Sequence, residues 1–178
     1  MSGPYTLAVP GFAEAAALSA VAQESFRQTF FYRDYPPEDL AAFLESAMGE
    51  ARYAAQLSDP AYALRVARGD DGSFAGFIKG GPNELPMPEG EPPLAETWEL
   101  HQLYLLPEAQ GTGIADAMMD WLYAEARARG ACALYLSVFV ENLRAKRFYA
   151  RHGFTEIGYN PFPVGATIDD DRVWRKWL

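Results

Sequence analysis

The residues with the clearest chemical potential form a short turn between an extended segment and an amphipathic helix. This turn reads Gln110, Gly111, Thr112, Gly113, Ile114 and Ala115. Its two glycines have no Cβ, so the backbone can take positive φ values and a phosphate can come close to the main chain. The first N–H groups of the following helix have no intrahelical acceptor and, with the helix dipole, they favour a bound anion. The sequence therefore predicts an anion-binding turn at this helix start.

The turn matches neither of the common glycine-rich phosphate motifs. Residues 110–115 do not follow the dinucleotide-binding pattern G-x-G-x-x-G, and the chain contains no P-loop of the form G-x-x-x-x-G-K-[ST]. A pair of glycines before a helix is also common where nothing binds. Taken alone, the turn leaves both an anion site and an ordinary helix start open.

A second segment, residues 142–154, lies on the other side of one predicted β-strand and reads NLRAKRFYARHGF. It resembles the N-x-x-A-x-x-F-Y-x-x-x-G-F segment of the GCN5-related N-acetyltransferases, the GNAT superfamily, with every named position filled. The turn at residues 110–115 is similar to the acyl-CoA pyrophosphate motif of the same family, Q/R-x-x-G-x-G/A. The resemblance implies an enzyme that moves an acetyl group from acetyl-CoA, its acyl-donor substrate, to an amine without a metal ion.

The resemblance also implies which residues bind the donor. The pantetheine arm would pair with the strand before the turn, and the N–H groups of residues 110–115 would hold the pyrophosphate. The family tolerates Ala115 where glycine is commoner, and we expect the side chain of Asp116 to point away from the phosphates. The strand residues so implied are Leu103, Tyr104 and Leu105.

Polar residues of the second segment complete the implied donor site. Asn142 is a credible N-cap of its helix and, in the family, also bonds the cofactor. The basic residues of this helix are either a solvated face or contacts to the nucleotide 3′-phosphate. These are Arg144, Lys146, Arg147 and Arg151, of which we count Lys146 among the cofactor-binding residues.

Two residues are the candidate proton-transfer groups. Tyr149 matches the family tyrosine that donates a proton to the leaving sulfur, and an unperturbed tyrosine is protonated at neutral pH. Core packing is the alternative role for this aromatic residue. Glu99 is the candidate general base, directly or through water, although an ordinary strand position is also open. His101 competes for that role because it titrates near neutral pH, and alternation places Glu99, His101 and Leu103 on one face.

The acceptor is less constrained by the sequence. The segments at residues 26–30, 38–44, 99–100 and 162–165 loosely resemble the polyamine (spermidine/spermine) acetyltransferase branch, which implies a small-molecule amine acceptor. A protein N-terminus or lysine is the second hypothesis, and a non-catalytic acyl-CoA-binding sensor module is the third. Acidic and aromatic side chains could receive a polycation, although helix starts and packing explain some of them equally well. They are Glu38, Asp39, Glu96, Glu99, Tyr32 and Tyr35.

Composition limits the class of protein. The chain has 178 residues, which is about one domain, so we expect a single domain over residues 1–178. A formal net charge of −9 disfavours nucleic acid and anionic membranes as partners. The single Cys132 fits a reducing compartment, and no segment resembles a signal peptide or a membrane span. We therefore expect a cytoplasmic protein, and a homodimer remains open.

The elements that must position these residues follow from hydrophobic periodicity and from glycine and proline breaks. Their order is one strand, two or three helices, three strands, a helix, a strand, a helix and two strands. The order is similar to that of the GNAT fold and implies an α/β (α+β) class, with a mixed, mostly antiparallel sheet and helices on both faces. The predicted strands are 5–9, 62–67, 74–79, 97–105, 131–138, 154–159 and 173–178, with a proline-rich loop at 81–93.

Overall fold

The element order predicted from the sequence is confirmed in the computed structural model, which describes residues 5–178. The strands are β1 (Tyr5–Ala8), β2 (Ala63–Gly69), β3 (Phe74–Gly81), β4 (Thr97–Leu105), β5 (Ala133–Phe139), β6 (Thr155–Val164) and β7 (Thr167–Trp177). The α-helices are α1 (Ala15–Thr29), α2 (Pro37–Met48), α3 (Glu50–Ser58), α4 (Ile114–Ala128) and α5 (Leu143–Arg151). Three short 3₁₀ turns precede α1, β4 and the glycine-containing turn.

The seven strands form one sheet in the order β1-β2-β3-β4-β5-β7-β6. Only the β4–β5 pair is parallel, so the mixed, mostly antiparallel sheet predicted from the sequence is confirmed. Strand β5 lies near the centre and is buried along nearly its whole length. This burial explains its almost continuous run of apolar residues, because both of its faces are covered.

Helices cover both faces of the sheet. On one face, Met118, Met119 and Leu122 of α4 are fully buried against Leu134 of β5 and Trp98 of β4. On the other face, helices α1, α2 and α3 pack over β2 and β3. The buried residues of that second core include Leu18, Leu44, Tyr53, Val66 and Phe77.

A β-bulge in β4 changes which side chains share a face. Opposite β3, the pairing steps from Gln102 directly to Leu100, so His101 is an extra residue in the ladder. Leu103 consequently packs with the core on the α4 side, whereas Glu99 lines a cavity on the opposite side. The prediction that Glu99, His101 and Leu103 share one face was therefore wrong, because the alternation is broken at His101.

The last two strands are longer than predicted. Strands β6 and β7 were expected over 154–159 and 173–178, but they form a hairpin that turns at Gly165, where φ is +58°. Two prolines, Pro161 and Pro163, lie inside β6. They are tolerated because β6 is the edge strand of the sheet, where one side has no ladder to complete. The extension of β7 places Asp169 and Asp171 in the sheet, where both are buried.

Candidate active site

A gap opens between β4 and β5 where the parallel pairing stops. The ladder joins residues 97–100 of β4 to residues 133–136 of β5 and does not continue beyond them. Further along β4, Leu103, Tyr104 and Leu105 still pair with β3. Among residues 5–178, their edge toward β5 has no strand partner, and the Leu105 carbonyl accepts only from the Gln110 side chain. The other backbone groups on this edge can bind an extended ligand. This is the edge at which the sequence predicted the pantetheine arm.

A cavity of about 450 Å³ runs from this gap to the glycine-containing turn. Gly111 and Gly113 have φ values of +77° and +87°, which confirms the positive φ predicted from the sequence. An added Cβ on either glycine would meet no atom of the described chain within 4 Å, so it would enter open space beside the turn. Within residues 5–178, the N–H groups of Gly111, Thr112 and Gly113 have no protein acceptor.

Side chains fix the path of the turn. The Gln110 side chain donates to the Leu105 carbonyl at 3.1 Å and accepts from Arg144 at 2.6 Å. The Thr112 hydroxyl donates to the Ala109 carbonyl at 2.7 Å. These contacts hold the unsatisfied N–H groups in place before any ligand arrives, as an anion cradle requires. Glutamine suits this position because its amide can donate and accept at once.

Substitution of Gly113 tests the cradle. We expect Gly113→Ala to raise the KM for acetyl-CoA by roughly tenfold, because strain in the left-handed region moves N–H groups that would bind a charged ligand. Gly130→Ala is the matched control, since Gly130 also has positive φ and open space but lies beyond the other end of α4. Thermal melts should show similar stability losses for both variants. Steady-state kinetics should show the raised KM for Gly113→Ala alone. An unchanged KM in the Gly113 variant would contradict the cradle.

The predicted polar residues of the donor site are not all brought to this cavity. Asn142 lines it and caps α5, with its Oδ1 accepting from the Ala145 N–H at 3.1 Å. The Asp116 carboxylate does not line the cavity, in agreement with the expected outward orientation, and lies 3.0 Å from His152 Nε2. Lys146 is turned to the Val140 carbonyl at 3.4 Å and to Glu156 at 3.7 Å. Arg144 is the basic residue that lines the cavity.

A second cavity of about 410 Å³ joins the first one. Its walls come from helices α1, α2, α3 and α5 and from strands β3 to β7. Phe26, Phe43 and Phe162 are among its aromatic lining, and α3 contributes Arg52. The two cavities share six residues at their junction, so a ligand in one can meet a ligand in the other. These are Thr29, Leu103, Tyr104, Asn142, Ala145 and Tyr149.

The acidic lining of this second cavity differs from the predicted set. Of the four predicted acidic residues, only Glu99 lines it, and the other lining carboxylates are Glu84, Asp169 and Asp171. Asp39 accepts from the Ala166 N–H at 2.8 Å instead. Glu38 and Glu96 are exposed and do not line either cavity. The predicted cation–π wall is not formed either, because Tyr32 does not line the cavity and Tyr35 is buried, with its hydroxyl donating to Asp169.

Glu99 occupies an unusual place for a carboxylate. It is 6% exposed, and burial raises its pKa to about 7, although the N–H of Glu84 donates to its Oε2 at 2.9 Å and Lys79 opposes the shift. Burial, with the charge of Lys79, lowers the pKa of His101 to about 4. His101 is therefore a neutral and weak base at neutral pH. Of the two candidates, Glu99 has the pKa suited to accepting a proton near pH 7.

The hydrogen-bond partner of His101 shows which of the two side chains, Glu99 or His101, can carry the proton that lies between them. Its Nε2 lies 2.9 Å from the Pro82 carbonyl, which can only accept, so Nε2 carries the ring hydrogen. The neutral ring then has no hydrogen on Nδ1, which faces Glu99 Oε1 at 3.4 Å. Below the pKa of Glu99, the proton between Glu99 and His101 is therefore bound to Glu99. Above that pKa, Glu99 loses it.

A buried lysine completes this end of the second cavity. Lys79 is 3% exposed, and its Nζ donates to Gln56 Oε1 at 3.1 Å and lies 5.4 Å from the Tyr53 ring centroid. Burial, with the charge of Arg52, lowers its pKa to about 7. Sequence reasoning missed Lys79 because an isolated lysine in a strand carries no motif. Its position two residues after Phe77, on the same face of a predicted strand, is the only signal that the sequence offers.

Tyr149 stands where the two cavities meet. Its ring packs against Phe148 and Phe154, with centroid separations of 5.4 and 5.8 Å, and its hydroxyl makes no hydrogen bond within residues 5–178. Burial raises the pKa of Tyr149, so the hydroxyl stays protonated at neutral pH. A protonated hydroxyl at the junction of two ligand cavities is the arrangement of a transferase that binds a donor and an acceptor together.

Comparison with known proteins agrees with this arrangement. Residues 22–154 match the model of the Acetyltransferase (GNAT) family. An uncharacterised N-acetyltransferase of Mycobacterium tuberculosis is 37% identical over 145 residues, covering 80% of this chain and 84% of that protein. The chain therefore belongs to the acetyltransferase (GNAT) family, which confirms the fold class and the enzyme class predicted from the sequence, an acetyl-CoA-dependent N-acetyltransferase.

Solved structures show the same fold. The PaiA N-acetyltransferase of Thermoplasma acidophilum, in complex with coenzyme A, has a TM-score of 0.75 at 19% identity, with full coverage of both chains. A chimera of the spermidine N-acetyltransferase SpeG from Vibrio cholerae and hSSAT has a TM-score of 0.68 at 19% identity, covering 98% of this chain and 95% of that chain. At these identities the likeness concerns the fold alone. Among residues 5–178, no helix could cross a membrane, and no group of His, Cys, Asp or Glu could hold a metal ion.

Proposed function

We propose that this enzyme moves an acetyl group from acetyl-CoA to a primary amine of a small, cationic, polyamine-like molecule. The observation that carries the proposal is the second cavity, which meets the donor cavity at Tyr149 and holds the buried carboxylates Glu99 and Asp171. Buried carboxylates favour a cationic ligand because a charge in a low-dielectric site needs a counter-charge. Aromatic walls add cation–π attraction.

The donor would lie in the cavity between the glycine-containing turn and the gap beside β4. Backbone groups of Leu103, Tyr104 and Leu105 would pair with the pantetheine amides, and Asn142 would contact the same arm. The free N–H groups of Gly111, Thr112 and Gly113, together with the α4 start at Ile114 and Ala115, would hold the pyrophosphate. We assign the nucleotide phosphate contact to Arg144, because Lys146 would first have to leave Val140 and Glu156.

The acceptor side would supply the proton transfers. Glu99, directly or through one water, would take a proton from the acceptor ammonium and leave a neutral amine whose lone pair attacks the thioester carbonyl carbon. The new N–C bond replaces the C–S bond, and Tyr149 gives its hydroxyl proton to the departing sulfur. The nitrogen, cationic after the attack, gives up its second proton, which restores the Tyr149 hydroxyl, and Glu99 returns its proton to solvent. The products are therefore the N-acetyl amine, the free thiol of coenzyme A and one released proton.

A small acceptor fits the walls of the cavity better than a protein segment does. Helices α1 and α2 lie on one side of the cavity and the β6–β7 hairpin on another, with lining residues Phe26, Phe43, Phe162 and Asp169. A polypeptide acceptor would need an open groove for the residues on either side of the acetylated one. The spermidine N-acetyltransferase likeness does not decide this point, so the acceptor class rests on the cavity.

The direct test is an acetyl-transfer assay with purified protein, acetyl-CoA and a panel of amines, in which the free thiol is measured. Spermidine and simple alkyl diamines represent the proposed class, and peptides with a free N-terminus or a lysine represent the protein acceptor. We expect turnover with the small amines and little with the peptides. Turnover with peptides alone would refute the small-acceptor proposal, and tight acetyl-CoA binding without turnover on any amine would refute an amine acetyltransferase.

A further inference from the structure

Three consecutive aspartates on β7 have very different partners. Asp170 is paired with Arg172, with contacts of 2.7 and 2.8 Å. Asp169 is paired with Arg33 and also accepts from the Tyr35 hydroxyl. Asp171 has neither an arginine nor a lysine within 4.0 Å among residues 5–178. Of the three, Asp171 alone is left without a counter-charge.

The surroundings of Asp171 are polar but neutral. The Ser137 hydroxyl of β5 donates to Asp171 Oδ2 at 3.1 Å, and Asn160 of β6 in turn donates to Ser137 at 3.0 Å. From β4, the phenol of Tyr104 is close enough for the charge of Asp171 to help raise its pKa, after burial and Tyr149. The charged groups near Asp171 are its own neighbours Asp169 and Asp170, which are also negative.

Asp171 is nevertheless buried and lines the second cavity. It is 9% exposed, so its charge is poorly solvated, and a ligand cation in the cavity would remove that cost. Within residues 5–178, Glu99, at 6% exposure, is the other buried cavity carboxylate without an arginine or lysine within 4.0 Å, whereas Glu84, which also lacks one, is exposed to solvent. The cavity thus offers two separate places for a positive charge.

The two carboxylates lie on opposite sides of β5. Glu99 of β4 is opposite Tyr135, and Asp171 of β7 is opposite Phe139, four positions further along the same strand. At about 3.3 Å per residue and about 4.8 Å between strands, their backbones are roughly 16 Å apart. The two carboxylate groups are closer than their backbones, because both side chains reach into the same cavity. A ligand that satisfies both must carry two cations separated by an extended chain.

We propose that Asp171 binds a second ammonium group of the acceptor while the reacting amine lies near Glu99, which makes Asp171 a specificity-determining residue for long diamines and polyamines. This inference rests on the proposed function of the second cavity. It adds the requirement that the acceptor carry a second positive charge, distant from the amine that is acetylated.

The test compares two acceptors of equal length, 1,8-diaminooctane and octylamine, which differ in the second ammonium group. For the wild-type protein we expect kcat/KM to be higher for the diamine. Asp171→Asn should lower the diamine-to-monoamine ratio of kcat/KM by roughly tenfold or more, mainly through KM, because a charge-assisted contact is lost. Asp170→Asn is the matched control, since it makes the same chemical change one position away on a carboxylate outside the cavity.

The folded state of the variant can be checked separately. Burial raises the pKa of Asp171 to about 6, above its unfolded value, so the charged carboxylate lowers stability above that pH. A neutral asparagine should therefore not lower the Tm at pH 8. Equal losses of kcat/KM with both amines, or an unchanged ratio, would overturn the role of Asp171. Absence of turnover with every amine in the wild-type protein would instead refute the proposed function itself, and the inference with it.

Discussion

Tyr149→Phe is expected to lower kcat by roughly 10²- to 10⁴-fold at neutral pH, the range that a positioned general acid contributes. The departing thiolate then leaves without a proton donor at the junction of the two cavities. The change should appear in kcat and hardly in the KM for acetyl-CoA, since the ring, which packs against Phe148 and Phe154, is kept. Steady-state kinetics with saturating acetyl-CoA would measure it.

A matched control for this substitution lies in α4. The Tyr123 hydroxyl is also buried and has no hydrogen-bond partner in the described chain, but Tyr123 does not line either cavity. Tyr123→Phe should leave kcat unchanged and should not lower the Tm, because it removes a buried hydroxyl that nothing satisfies. If Tyr149→Phe kept more than about a tenth of the wild-type kcat, less than a general acid contributes, the acid role would be wrong.

The second large effect is expected for Glu99→Gln. A general base must be deprotonated, and burial sets the pKa of Glu99 at about 7 in the free enzyme, so kcat/KM should rise with pH through that value. The glutamine variant should lose roughly 10²-fold or more in kcat and should no longer show this inflection. Glu96→Gln, at an exposed carboxylate that does not line either cavity, is the control. A pH profile unchanged by Glu99→Gln would remove the base assignment.

Glu99→Gln is expected to raise the stability of the protein at alkaline pH, although it lowers kcat. The folded pKa of Glu99 lies above the unfolded value of 4.5, so the folded state binds the proton more tightly. The free energy of unfolding should therefore fall as pH rises from about 4.5 to 7, by at most roughly 3 kcal/mol. Glu99→Gln should remove this loss and raise the Tm at pH 8 relative to wild type. Thermal melts at pH 5 and 8 would measure this change. They would also show that the variant is folded, so that its lower kcat is not attributed to unfolding.

The local geometry of the glycine-containing turn and of the α5 start could be predicted from the sequence because its information is local. Positive φ at Gly111 and Gly113, the cap at Asn142 and the position of Tyr149 all depend on residues close to each other in the chain. Short contiguous motifs of this kind specify backbone conformation directly. Lys146 is the exception, since a long side chain can turn to partners that a motif does not describe.

The acceptor half could not be predicted in the same way because it depends on pairing between distant strands. Asp171 reaches the cavity only because β7 pairs with β5 over seven residues, and β7 was expected to begin after it. The bulge at His101 is also invisible in the sequence, since a single extra residue alters no local pattern. That one residue decides that Glu99 and Leu103 lie on opposite faces, a result that simple alternation reverses.

The β6–β7 hairpin gives the molecule a modular character. Asn160, Phe162, Asp169 and Asp171 lie on one hairpin, whereas the turn and Tyr149, to which we assign the donor, come earlier in the chain. The hairpin is anchored to the sheet through β7 alone and ends at an edge strand. A graft of this contiguous segment from another family member would exchange part of the proposed acceptor wall without altering the proposed donor site. Selection can thus diversify the amine that is used while the acetylating machinery stays constant.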